Sequence, residues 1–176
     1  MDYAIILCFD QSTEAYFNNI IASIAGSGVS GYMIDHKIPP HITVAFFSTE
    51  KIGKIIGKLD KSLPRMKADA VTWASLGTFV PRVLFAAPVM SQYLLNACIE
   101  INRLIAPLST LGSEGHYYLP YQWVPHTALA VQLDSDGLKK AFDIASGQFT
   151  AVSGRSNRLL LAECNPYKVV KTWDLK

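Results

Sequence analysis

The sequence predicts an α+β fold made of two pseudo-symmetric lobes, each an antiparallel or mixed sheet with helices outside, and a cleft between them. Three observations lead there. Short apolar, partly β-branched runs alternate with segments of helical periodicity, the order of those segments repeats once along the chain, and a Pro-His pair stands at the matching place in each copy. Half of the 176 residues are hydrophobic and only 17% are charged. That is enough apolar material for one bilobal domain over residues 1–176, with halves at 1–80 and 81–176 and strand exchange between them allowed.

Tyr3 to Phe9 is continuously apolar, stops at Asp10-Gln11-Ser12, and has the length of a buried strand. A helix follows, capped by Ser12 or Thr13, with Glu14 in its first turn. Its apolar stripe is Ala15, Phe17, Ile20, Ile21 and Ile24, and Gly26-Ser27-Gly28 ends it. The segment to Pro39-Pro40 reads as loop. His41 to Phe47 is the second strand. Ser48 or Thr49 then caps a helix from Glu50 to Leu63 that places Ile52, Ile55, Ile56 and Leu59 on one face and is stopped by Pro64. Strands from Lys67 to Leu76 and from Arg82 to Val89 come next, joined by Gly77 to Pro81, and so short a link favours antiparallel pairing.

From Arg82 the order begins again. A strand to Val89 leads into a helix from Ser91 to Ala106, a loop through Gly112-Ser113-Glu114-Gly115 to Pro120, and a strand from Val124 to Leu133. Asp134-Ser135-Asp136 caps a helix that reaches Gly147, and strands at Phe149–Ser153, Asn157–Glu163 and Tyr167–Asp174 complete the copy.

Composition excludes several classes of function. A net charge of +2 cannot form the broad basic face that holds a long polyanion, which leaves a short or terminal phosphate ligand. Lys51, Lys54, Lys58 and Lys61 share the outer face of one predicted helix and read as a solvated surface. Cys8, Cys98 and Cys164 are odd in number and widely spaced, which fits neither a disulfide framework nor a zinc site; reduced, buried thiols and no metal or other cofactor are expected. The first apolar run stops at Asp10, too short for a signal peptide or a membrane span, so the chain reads as cytoplasmic with no membrane partner. Gly112-Ser113-Glu114-Gly115 lacks the GxxxxGK[ST] pattern of a phosphate loop and is linker. Nothing in the sequence sets the oligomeric state.

Two segments carry the chemistry. In Pro40-His41-Ile42-Thr43-Val44, strand alternation puts His41 and Thr43 on one face and Ile42 and Val44 on the other. An imidazole beside a hydroxyl at that spacing reaches the oxygens of one phosphate. Pro125-His126-Thr127-Ala128 repeats the beginning of this pattern 126 − 41 = 85 residues later. Two imidazoles, each with an ordinary pKa of about 6.5, can divide general base and general acid work on a phosphodiester.

A pair of His-x-Thr/Ser strands, one in each half of a chain of this length, resembles the 2H phosphoesterase superfamily, and within it the LigT-like RNA 2′,3′-cyclic phosphodiesterases, also called 2′-5′ RNA ligases. The resemblance spans the whole chain in element order and rests on few residues. It implies that the histidines and hydroxyls line an interlobe cleft, that His41, Thr43 and His126 are catalytic, and that the partner is a small nucleotide or an RNA terminus bearing a cyclic phosphate. It also implies hydrolysis of a 2′,3′-cyclic or related phosphodiester without a metal. A binding module that holds a nucleotide without cleaving it, and 2′-5′ ligation by the reverse reaction, are the alternatives. The departure from the family pattern is Ala128, which occupies the place of the second hydroxyl. Thr127 is one residue early and reaches the cleft only if a bulge turns it.

Secondary candidates surround these motifs. Tyr117, Tyr118, Tyr121 and Trp123 precede the second one and either stack a base at the cleft mouth or pack a loop; Tyr121 and Trp123 are carried forward as substrate contacts, with Thr127. Arg82, Arg103, Arg155 and Arg158 are candidate phosphate clamps, and Arg82, at the start of a repeat strand, is carried forward. His36 and His116 read as solvated loop residues. Which of His41 and His126 is base and which is acid is left open.

Overall fold

In the computed structural model, residues 1–63 and 66–176 are described. The chain runs β1 (Asp2–Phe9), α1 (Gln11–Gly26), α2 (Tyr32–Asp35), β2 (His41–Ser48), α3 (Ile52–Ser62), β3 (Asp69–Phe79), β4 (Val83–Pro88), α4 (Gln92–Ile105), β5 (Thr127–Ala130), α5 (Ser135–Ser146), β6 (Val152–Cys164) and β7 (Tyr167–Asp174). Single 3₁₀ turns lie at Ala106–Leu108 and Gly115–Tyr118. Pro64, read above as the stop of α3, lies outside the described residues.

The strands form one antiparallel sheet in the order β2-β1-β6-β3-β4-β5, with β7 also paired to β6. Exchanging β1 with β4, β2 with β5 and β3 with β6 maps this order onto itself. The repeat in the sequence is therefore a two-fold relation within the sheet. The sheet is continuous where two separate ones were expected, and β6 is the joint. β1 follows one edge of β6, while β3 and β7 lie end to end along the other, linked where the Ala68 N–H donates to the Lys176 carbonyl at 2.9 Å. The outermost strands of the order, β2 and β5, also touch one another. That contact brings the two histidine segments together.

The main core fills the helix side of the sheet. Ile5, Leu7 and Phe9 of β1, Ile42 and Val44 of β2, Phe17 and Ile20 of α1, Ile55 and Leu59 of α3, and Leu94 and Ile101 of α4 are all buried in it. At roughly 1.5–3 kcal/mol for each large apolar side chain buried, this layer is the main source of stability.

Several boundaries differ from those read in the sequence, each for a local reason. Asp10 caps α1 in place of Ser12 or Thr13, accepting from the Thr13 backbone N–H at 3.0 Å and from both hydroxyls. α3 begins at Ile52 with Lys51 as its cap residue, and the Lys51 N–H donates to Thr49 Oγ1 at 2.9 Å. The short helix α2 interrupts the segment read as loop. β5 begins only at Thr127, because Pro125 has no N–H for a ladder, and it ends before Gln132, whose φ of 60° leaves the extended region.

Gly77, read as part of a connection, and Gly154, in the gap between two expected strands, both lie inside strands. A Cβ on Gly77 would overlap the Phe85 ring, so β3 continues to Phe79 and the turn moves to Val80–Arg82. A Cβ on Gly154 would overlap the Thr13 side chain, and β6 runs through it from Val152 to Cys164, joining the end of the strand expected at Phe149–Ser153 to the one expected at Asn157–Glu163 and leaving Phe149–Ala151 outside. In both places the missing side chain admits a neighbour.

Candidate active site

Each histidine follows a proline, which confines the residue before it to extended backbone. In both segments the imidazole Nδ1–H donates to the carbonyl two residues upstream, His41 to Pro39 at 2.8 Å and His126 to Val124 at 2.9 Å. A carbonyl can only accept, so this bond assigns the proton to Nδ1 and leaves Nε2 of each ring as the working nitrogen.

His41 opens β2 opposite Cys8 and Thr43 stands opposite Ile6. Directly paired residues share a face, so both project from the side of the sheet floored by Ala4, Ile6, Cys8 and Leu160. Past Val44 a bulge shifts the register, so that Ala45 and Phe47 take over the core face and Phe46 turns to the site side. The Val44 carbonyl accepts from Asn102 Nδ2 at 3.1 Å, and the same amide donates to the Tyr118 carbonyl at 3.1 Å. Asn102 thereby ties β2 to the loop that leads to His126.

His126 sits among aromatic rings, with centroids 4.9 Å from Phe79, 5.3 Å from Phe85 and 6.4 Å from Tyr118. Tyr118 in turn stacks on Phe46 at 6.1 Å, closing a chain of rings from one half of the sheet to the other. Burial pushes the His41 pKa down to about 4, against the Pro39 carbonyl, and His126 is near enough to lower it further through charge. Burial also lowers the His126 pKa, opposed by the Val124 carbonyl. Both rings are therefore poised to be neutral near pH 7. Thr43 is 9% exposed, and among the described residues no hydrogen bond engages its hydroxyl.

A cavity of about 490 Å³ opens beside His126, walled by Phe79, Arg82, Glu114, Tyr117 and Gln122. Its size is that of a small-molecule site. A larger depression of about 740 Å³ lies along α3 and α4 and contains no histidine. Among the described residues, no three His, Cys, Asp or Glu side chains gather to hold a metal ion, and no helix is long and apolar enough to cross a membrane. All three cysteines are free.

The structure gathers some of the sequence candidates and separates others. His41 and Thr43 share the site side, and His126, near enough for its charge to act on His41, lines the cavity with Arg82. Tyr121 is 83% exposed and faces a different depression, with Phe46 and Leu119. Trp123 is a core residue, 6% exposed, and has no ring face free for a base. Thr127 is fully buried and its Oγ1 accepts from Trp73 Nε1 at 3.0 Å, so no bulge brings it to the cleft. Ala128 lies on the His126 side, opposite Phe85, and presents a methyl there. Asn102, Phe79, Phe85, Glu114 and Gln122 went unread in the sequence, since their proximity depends on pairings distant along the chain.

Thr127→Val keeps the shape of this residue but leaves the buried Trp73 N–H without an acceptor. The expected loss is about 1–3 kcal/mol of folding stability, read by urea denaturation.

No family model matches this sequence, and no curated protein does. Among solved structures, the chain is similar to TT0787 of Thermus thermophilus, with a TM-score of 0.63 at 15% identity over 99% of this chain and 98% of that one. It is similar to E. coli LigT complexed with 3′-AMP, with a TM-score of 0.60 at 14% identity over 99% and 97% of the two chains. Kluyveromyces marxianus Usb1 follows at 0.56 and 11% identity, covering 99% and 98%. LigT has also been solved with phosphate, with NADP+ and with ATP. At these identities the likeness establishes a shared fold over the whole chain.

Proposed function

We propose that this protein is a phosphoesterase of the 2H type that opens a 2′,3′-cyclic or related phosphodiester at a nucleotide or RNA terminus, without a metal, with His41 and His126 as its proton-transfer pair. The observation that carries the reading is the matched anchoring of the two imidazoles, each held by a carbonyl two residues upstream where the chain enters one of two symmetry-related strands. The shared fold with LigT, solved with 3′-AMP, supports it.

The environments of the rings divide the work. His41, whose proton burial removes down to a pKa of about 4, is the base: its Nε2 takes a proton from water as the oxygen attacks phosphorus. His126, open to the cavity that receives the nucleoside, is the acid: its Nε2–H protonates the ribose oxygen as the P–O bond breaks. A single phosphomonoester results. Thr43 donates to a phosphoryl oxygen and stabilises the charge that develops there.

Ala128 leaves the second half of this cradle without a donor. Ala128→Thr is expected to raise kcat/KM roughly tenfold, the worth of one hydrogen bond to a charged oxygen, measured on a nucleoside 2′,3′-cyclic phosphate.

The reading is tested by incubating the protein with such a substrate in excess chelator and following the phosphomonoester. Turnover is expected. The same methyl also favours a second reading, a module that binds nucleotides without cleaving them. Calorimetric binding with no product after long incubation would establish that second reading, and a 2′-5′ joined product from RNA ends would identify the reverse reaction.

A further inference from the structure

The cavity beside His126 contains three polar side chains that the proton-transfer chemistry does not use: Arg82, Glu114 and Gln122. Some opposite charges on the surface are paired with each other, as in Arg103 with Glu100 and Arg158 with Glu14. Here they are not. Among the described residues, no hydrogen bond or ion pair engages the side chain of Arg82, Glu114 or Gln122, although an arginine and a carboxylate line the same cavity. All three are exposed where they line it. Glu114 lies close to Tyr118, whose phenol pKa burial pushes up to about 12 with a further contribution from the Glu114 charge. Tyr117, 63% exposed, stands at the same wall, with the His116 ring 3.8 Å from its own.

A guanidinium and a carboxylate in one aromatic-walled cavity suit a ligand with an acceptor edge and a separate donor edge. Guanine has both. Its O6 and N7 accept from an arginine in bidentate fashion, and its N1–H and N2 amino group donate together to a carboxylate. Adenine and cytosine offer the carboxylate one amino group, and uracil offers a single N3–H flanked by two carbonyl oxygens that repel it. An unstacked base can be read on these edges while an aromatic ring covers its face.

We propose that the cavity beside His126 is a base-recognition subsite selective for guanine, with Arg82 on the O6/N7 edge, Glu114 on the N1/N2 edge and Tyr117 against the ring face. The proposal rests on the reading above, because it is the nucleoside whose ribose oxygen His126 protonates that enters this cavity.

The test is kcat/KM for guanosine, inosine and uridine 2′,3′-cyclic phosphates with wild type and Glu114→Gln. Guanosine should exceed uridine by roughly tenfold or more, as expected for hydrogen bonds to charged groups. Inosine, which keeps N1–H and lacks the amino group, should fall between. Glu114→Gln should collapse the guanosine advantage. Equal rates for the three bases, or an advantage that survives the substitution, would overturn the subsite. If none of the three is hydrolysed, the reading as a hydrolase fails and the subsite is still decided by calorimetry. Tighter binding of guanosine than of uridine 3′-monophosphate, lost in Glu114→Gln, upholds it; equal binding, or none, overturns it.

Discussion

Alanine in place of either His41 or His126 is expected to lower kcat/KM on a nucleoside 2′,3′-cyclic phosphate by roughly 10²–10⁴-fold, the range of a positioned general acid or base. The double variant should be about as impaired as the worse single one, since the two rings act on one transition state and their effects do not add. The expectation follows from their matched geometry. Each ring spends Nδ1–H on a backbone carbonyl, so removing either side chain deletes a working Nε2 and leaves the strand that carried it. Circular dichroism should show native-like variants. Wild-type turnover by the double variant would contradict the assignment.

The pH dependence of kcat/KM should peak on the acid side of neutrality. As base, His41 must be neutral, a condition met above its pKa of about 4. As acid, His126 must be protonated, which holds only below a pKa that burial depresses from the ordinary 6.5. The rate therefore rises through about pH 4, is greatest below pH 6.5, and falls about tenfold per unit above it as His126 loses its proton. Between pH 6.5 and 8.5 the loss is about 100-fold. A profile flat to pH 8.5 would remove His126 from the role of acid.

The fold class and the two matched Pro-His segments were legible because they depend on local signals: strand and helix periodicity, and a proline before a histidine in each copy of the repeat. The halves of the pair were also legible as unequal, because the hydroxyl position of the first motif holds Thr43 and that of the second Ala128. What could not be read depends on partners distant in the chain. Gly77 and Gly154 have the composition of turns, yet they make room for Phe85 and for Thr13. Trp123 resembles a base-stacking aromatic until the core takes it, and Thr127 resembles a ligand donor until the Trp73 indole occupies its oxygen. The continuity of β6 decided the rest, since one strand paired with β1, β3 and β7 makes a single sheet of what the element order presents as two.

The central claim is that His41 and His126 serve one phosphate. It is tested most directly by following both imidazole Cε1–H resonances through a pH titration, with and without a nucleoside 3′-monophosphate. A phosphate held between the rings stabilises both imidazolium forms, so both pKa values should rise when it binds. A rise at one ring with the other unmoved would place the two histidines at separate sites.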